Sequence, residues 1–235
     1  KHITFHRTRS PVVAEIYMNG VLVERGERVR DLGVLLDSSM DFADHIDGVC
    51  LRASRAMGFI FRLSKLGLNF QTMVILYKAL VRPLLEYASP VWSPYLMGQV
   101  DKLQSIQRRF IRILGVRNGY SYRNVPIMDI ENNLGLLPLS SRRHVADLLI
   151  LYKLVNGDID CPQLLQLINF RVPSVTRLRQ LFELKQSSTN YLLHSPIPRM
   201  LRAGNGVCDL VDFFSDSKAR FRRTILTCCA GMNAV

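Results

Sequence analysis

Two hydrophobic periods divide the chain. Up to Leu36 the apolar residues fall in short β-branched runs, and from Phe42 onward they recur every three or four residues. The run Val12-Val13-Ala14-Glu15-Ile16-Tyr17-Met18 predicts a strand. Asn19-Gly20 predicts a two-residue turn, because both central residues of a type I′ turn need positive φ, and Val21-Leu22-Val23 is the return strand. Val29 to Leu36 reads as a third strand broken by Gly33, and Ile3 to Arg7 as a further strand ahead of these. A hairpin unit this small does not stand alone, so it is expected to complete a larger sheet.

The clearest helix carries Phe42, Ile46, Val49, Ala53, Ala56, Ile60 and Leu63 on one side, with Gly67 as its stop. At about 100° per residue, Arg55 and Arg62 fall opposite that stripe and Arg52 and Lys65 flank it. A second helix is expected from about Phe70 to Val81, ended or kinked by Pro83, and Leu84 to Pro94 reads as a turn-rich apolar segment whose Trp92 belongs in the core. A third, from about Leu96, places Val100, Leu103, Ile106, Phe110, Ile113 and Leu114 together, with Arg108 and Arg112 opposite and Lys102 and Arg109 on the flanks. Further helices are expected over Pro126–Asn133, Ser140–Val155 and Pro162–Ile168, with a tight bend at Leu134–Pro138. The rest is irregular until Leu210–Cys228, where Phe213, Phe214, Phe221, Ile225 and Leu226 could share one side. The expected fold is therefore mainly α with a small N-terminal antiparallel β-hairpin unit. It divides into a strand unit over residues 1–40, a helical region over 41–120 and a further helical region over 121–235.

Composition adds a partner class. The 235 residues are 48% hydrophobic, enough for a core, and carry 31 Lys+Arg against 19 Asp+Glu, a formal charge of +12. Of these cations 24 are arginine, the side chain that pairs bidentately with phosphate and stacks on bases. The excess is concentrated: residues 51–120 hold eleven Lys/Arg against only Glu86 and Asp101, whereas residues 1–50 hold six against eight acids. An anionic ligand is expected on the middle third.

Several chemistries are excluded. The longest stretch without a charged residue, Tyr87–Val100, is interrupted by Pro90 and Pro94, so no segment can cross a bilayer as a helix and no membrane partner is expected. Five cysteines without a C-x-x-C pair suit a reducing, intracellular setting. Of the five histidines only His2 and His6 stand four residues apart, without the glutamate of an H-E-x-x-H site between them, and there is no P-loop, G-x-G-x-x-G or G-x-S-x-G. Asp41, Asp44 and Asp47 cluster where a helix N-terminus favours carboxylates, and His45 reads as a residue of that capping region. No catalytic residue and no metal site is expected. Lys1 in place of methionine suggests processing or a piece of a longer reading frame.

The residues also resemble a family. Asp31-Leu32-Gly33-Val34-Leu35-Leu36-Asp37 with Phe42 and His45-Ile46 resembles the end of the reverse transcriptase palm of non-LTR (LINE-type) retrotransposons. So do the run from Leu76-Tyr77-Lys78 through Arg82-Pro83-Leu84-Leu85-Glu86-Tyr87 to Trp92-Ser93-Pro94-Tyr95, the segment Lys102–Phe110, and Arg142-Arg143, Tyr152-Lys153 and Ser195-Pro196-Ile197 in the same order. The likeness is greatest to the C-terminal part of jockey-like elements. It implies a palm edge over residues 1–40 with Leu32 and Gly33 as a primer-grip-like turn, and a helical thumb from Asp41. It implies an RNA/DNA primer-template duplex and the remainder of the palm as partners, and phosphate contacts from Arg52, Arg55, Arg62, Lys65, Arg108, Arg109, Arg112 and Arg117. The intact parent enzyme would be an RNA-directed DNA polymerase using Mg2+ held by a palm aspartate pair. Nothing in this chain resembles that pair, so the chain alone is expected to bind and not to polymerise. The alternative is a domesticated or decayed remnant serving as a helical protein-interaction module.

Overall fold

The computed structural model describes residues 1–12, 14–171 and 180–231. They are mainly helical with two small antiparallel hairpins, as the hydrophobic periods require. Two compact units form, one from Lys1–Leu85 with Leu96–Leu103 and one from Glu86–Tyr95 with the chain from Gln104 onward.

In the first unit, β1 (Tyr17–Met18) and β2 (Val21–Leu22) pair across Asn19-Gly20, whose φ values of 53° and 77° are those of the expected turn. The pairing is shorter than the sequence suggests. Only the residues beside the turn form a ladder, all four are exposed, and of the longer run Val13 lies outside the described residues. Ile3–Arg7 forms no strand; His2 alone bridges to Arg25. The expected third strand is instead a second hairpin, β3 (Arg28–Asp31) and β4 (Val34–Asp37), with Asp31 opposite Val34. Gly33 does not interrupt a strand. With Leu32 it makes the turn, at φ 43° and 88°.

Helix α1 (Ala43–Ser64) buries Ile46, Val49, Cys50, Ala53, Met57 and Ile60, so Cys50 and Met57 join the expected stripe while Ala56 and Leu63 are only half-buried. Asn69 caps α2 (Phe70–Leu76), its side chain accepting the Thr72 N–H at 2.8 Å. Pro83 does not end this helix. Proline removes the N–H that would bond four residues back and crowds the carbonyl there. The chain answers with a π-helical turn over Tyr77–Val81, in which the Arg82 N–H bonds to Tyr77 O five residues back, and continues as α3 (Arg82–Glu86). Burying Tyr77, Val81 and Leu85 completely holds the helix on course.

In the second unit, α4 (Ser89–Trp92) buries Trp92, whose indole N–H donates to Tyr87 O at 2.8 Å. Helix α5 (Met97–Arg117) contributes its part from Gln104. There Phe110, Ile111 and Leu114 are buried, and Gln107 donates to Glu131 Oε1 at 3.0 Å and Leu137 O at 3.1 Å. After α6 (Ile127–Asn133), the central α7 (Leu139–Val155) packs Leu148, Leu151 and Leu154 into a core with α10 (Pro196–Val207) and α11 (Lys218–Gly231). The short helices α8 (Pro162–Leu165) and α9 (Asn190–Leu193) lie between α7 and α10 in sequence. Two features depart from the expectation of an irregular stretch up to Leu210. Helices α9 and α10 occupy part of it, and α11 starts eight residues later than expected, leaving Phe214 exposed while Phe213, Phe221 and Ile225 are buried. Phe182, Phe213, Phe221 and Tyr152 form a run of ring contacts with centroids 4.6 to 5.1 Å apart.

Candidate nucleic-acid interface

The first unit presents a hairpin tip and a helix face. Leu32 holds a left-handed backbone that a leucine rarely adopts, and its side chain is 84% exposed. Such a residue at a turn tip contributes little to the core. The hairpin behind it is fastened to α1: the Leu35 N–H donates to His45 Nδ1 at 3.1 Å, and Arg28 pairs with Asp44 at 2.7 Å. His45 is thus no mere capping-region residue but a buried acceptor. Burial, together with the charges of Arg52 and Arg30, lowers its pKa to about 4, so at neutral pH the ring is uncharged and free to accept.

On α1, Arg55 and Arg62 are exposed, Lys65 is exposed at the C-terminal end, and Arg52 is half-buried. Cations at that end also complement the helix dipole. Arg52 reaches back along the helix, its Nη1 passing 3.6 Å from where a side chain at Gly48 would begin. Among the described residues none of these four is in an ion pair with a carboxylate. The acids of the N-terminal turns are already engaged, Asp44 with Arg28 and Asp47 with Lys102. The same face carries Leu51, Phe59 and Leu66, all exposed, which the sequence reading did not single out. Their spacing with Arg55 and Arg62, in steps of four and three, was the available signal.

In the second unit, Arg109 and Arg117 on α5 are exposed. Arg108 and Arg112, expected to point away from the core, are half-buried. The positive charge of Arg108 acts on Glu131, whose pKa burial nonetheless raises, and the Arg112 guanidinium lies over the Tyr122 ring, 5.5 Å from its centroid. Other arginines of this unit are structural. Arg142 pairs with Glu86, and Arg199 grips Asp147 through two bonds of 2.8 and 3.2 Å while donating to Pro90 O and His194 O. Burial lowers the pKa of Arg143 beside them to about 10, still far above neutral pH. Exposed Arg123 is a further cation that the helical periodicity does not mark.

Among the described residues no group of three or more His, Cys, Asp or Glu could hold a metal, and no helix is long and apolar enough to cross a membrane. Each unit by itself offers exposed positive charge, which suits binding a polyanion.

Two known proteins are similar to part of the chain. The chain is 26% identical over 145 residues to a probable RNA-directed DNA polymerase from transposon X-element of Drosophila melanogaster, a match covering 59% of this chain. It is 24% identical over 137 residues, 54% of the chain, to the corresponding protein from transposon BS of the same organism. These matches bear out the resemblance to a region of a retrotransposon reverse transcriptase. The matched stretch spans only 15% of each relative's length. No family model matches the chain, and no solved structure does.

Proposed function

We propose that this chain is a duplex-binding, non-catalytic part of a jockey-like, LINE-type retrotransposon reverse transcriptase, with its palm edge and thumb. The observation that carries the reading is the α1 face. Arg55, Arg62 and Lys65 are exposed, and no carboxylate occurs in sequence between Leu51 and Glu86. A helix whose cations are not neutralised by neighbours releases counterions from a nucleic-acid backbone when it binds, and it does so without reading bases. Arg109 and Arg117 are exposed on α5, with Arg108, Arg112 and Arg52 half-buried.

Two further features support the reading. The turn Leu32-Gly33, which the resemblance makes primer-grip-like, is exposed and carries a leucine in left-handed backbone, strain of the kind held at contact sites. The exposed apolar hairpin of Tyr17, Met18, Val21 and Leu22 leaves open ladder edges and side chains for the remainder of the palm to cover. In the whole enzyme that palm would supply the carboxylates and Mg2+, and this chain would hold primer and template.

Titration of a labelled RNA/DNA primer-template at several salt concentrations tests the reading. A steep negative slope of log affinity against log salt supports it, and salt-independent or undetectable binding contradicts it. Primer extension with this chain alone is expected to give no incorporation.

A further inference from the structure

We propose that the loop over residues 118–124 is a stacking site for unpaired bases of a single-stranded nucleic acid, with Tyr120 and Tyr122 as the platforms and Arg112, Arg117 and Arg123 as phosphate partners. Both rings are roughly half exposed, Tyr120 at 46% and Tyr122 at 53%. Tyrosines two residues apart on a loop and half exposed add little to the core. Arg112 lies over one face of Tyr122, 5.5 Å from the centroid, which fixes the ring and leaves its other face to a base.

The loop is held in shape. The Asn118 and Tyr120 N–H groups both donate to Gly115 O, at 3.0 and 3.1 Å, and the Asn124 N–H donates to Ser121 O at 3.0 Å. Gly119 takes the left-handed turn at φ 92°. At its far end, buried Val125 packs directly on the backbone of Gly115, where a β-carbon would run into both Val125 methyls. The chain leaves α5, makes a closed excursion and returns to α5. A platform fixed at both ends loses less freedom on binding than a loose loop.

Charge selects the class of partner. From Lys102 to Met128 there is no carboxylate, against six cations. A protein partner would need an unusually acidic surface to match this, whereas every nucleotide brings a phosphate. Aromatic faces add a requirement that a duplex does not meet, since its bases are stacked on one another inside. Only unpaired nucleotides can lay a base on Tyr120 or Tyr122 while their phosphates reach the arginines.

This inference rests on the nucleic-acid reading above but fails separately from it. Fluorescence anisotropy with labelled single-stranded oligo(dA) and with a blunt duplex, at one fixed salt concentration, gives the test. Tyr120→Ala and Tyr122→Ala are each expected to weaken single-strand binding about tenfold. Blunt-duplex affinity should stay unchanged, and Tyr122→Phe should keep the wild-type value. Wild-type failure to bind the single strand, alanine variants that bind it normally, or equal losses on strand and duplex would each overturn the proposal. Duplex binding lost to Arg55→Ala with single-strand binding intact bears on the α1 face and leaves the loop site standing.

Discussion

His45 Nδ1 accepts the backbone N–H of Leu35 at 3.1 Å, and this one bond ties the first long helix to the strand that leaves the Leu32-Gly33 turn. It needs the neutral ring, since a protonated imidazole has no lone pair to offer. Burial lowers the folded-state pKa from 6.5 to about 4. Between those values the unfolded chain binds the proton and the folded chain does not. Stability is therefore full above about pH 6.5, falls as the pH drops toward 4, and changes no further from this source below it. The shift corresponds to at most about 3 kcal/mol. Urea unfolding across that window should show the loss in the wild type. In His45→Leu the pH dependence should flatten, with about 1–3 kcal/mol already missing at pH 7 because the Leu35 N–H has lost its acceptor.

Asp147 is buried and paired with the half-buried Arg199, and a buried arginine, Arg143, lies within electrostatic reach. Asp147→Asn leaves Arg199 without its counter-charge while keeping the shape. It is expected to cost about 3–5 kcal/mol, read by urea unfolding, because a buried charge without its partner is strongly unfavourable. Burial outweighs the arginines in setting the Asp147 pKa, which is raised. Exposed Arg222→Ala, which loses no core contact, should change stability by less than about 0.5 kcal/mol.

Helix α10 approaches α7 at a glycine. A β-carbon on Gly204 would lie 2.7 Å from Phe182 Cε2 and 2.8 Å from Leu151 Cδ2, in a core without slack. Gly204→Ala is therefore expected to destabilise by about 1–3 kcal/mol in spite of alanine's better helix propensity. Thermal unfolding gives the comparison, and Gly206→Ala, which meets no atom within 4 Å, is the control expected to be neutral or slightly stabilising.

Gly204 also shows why part of the fold was hidden in the sequence. Pro196, Pro198, Gly204 and Gly206 fall within the twelve residues of α10, and their propensities argue against a helix. The helix forms because the prolines sit in its first turn and the glycine permits close packing, and only the second condition is tertiary. Pro83 reads as a stop or a kink, and a π-helical turn with three completely buried side chains carries the helix through it. Long periodic elements such as α1 and α5 were legible because their stripes are strong, and so was the Asn19-Gly20 turn.

The candidate site was half legible. Arg55, Arg62 and Lys65 stand exposed where helical geometry put them. Arg108 and Arg112 lie near Glu131 and Tyr122, partners ten or more residues away that no helical wheel contains. Tyr120 and Tyr122 went unnoticed because a short loop has no period to mark them.

The most direct test of the account measures the salt dependence of primer-template binding in wild type, Arg55→Ala, Arg62→Ala and, as a control, the exposed pair Arg222→Ala/Arg223→Ala. The account expects the log-log slope to become shallower by about one unit for each α1 arginine removed and to stay at the wild-type value in the control. Equal slopes in all four proteins, or a slope that falls only in the control, would contradict it.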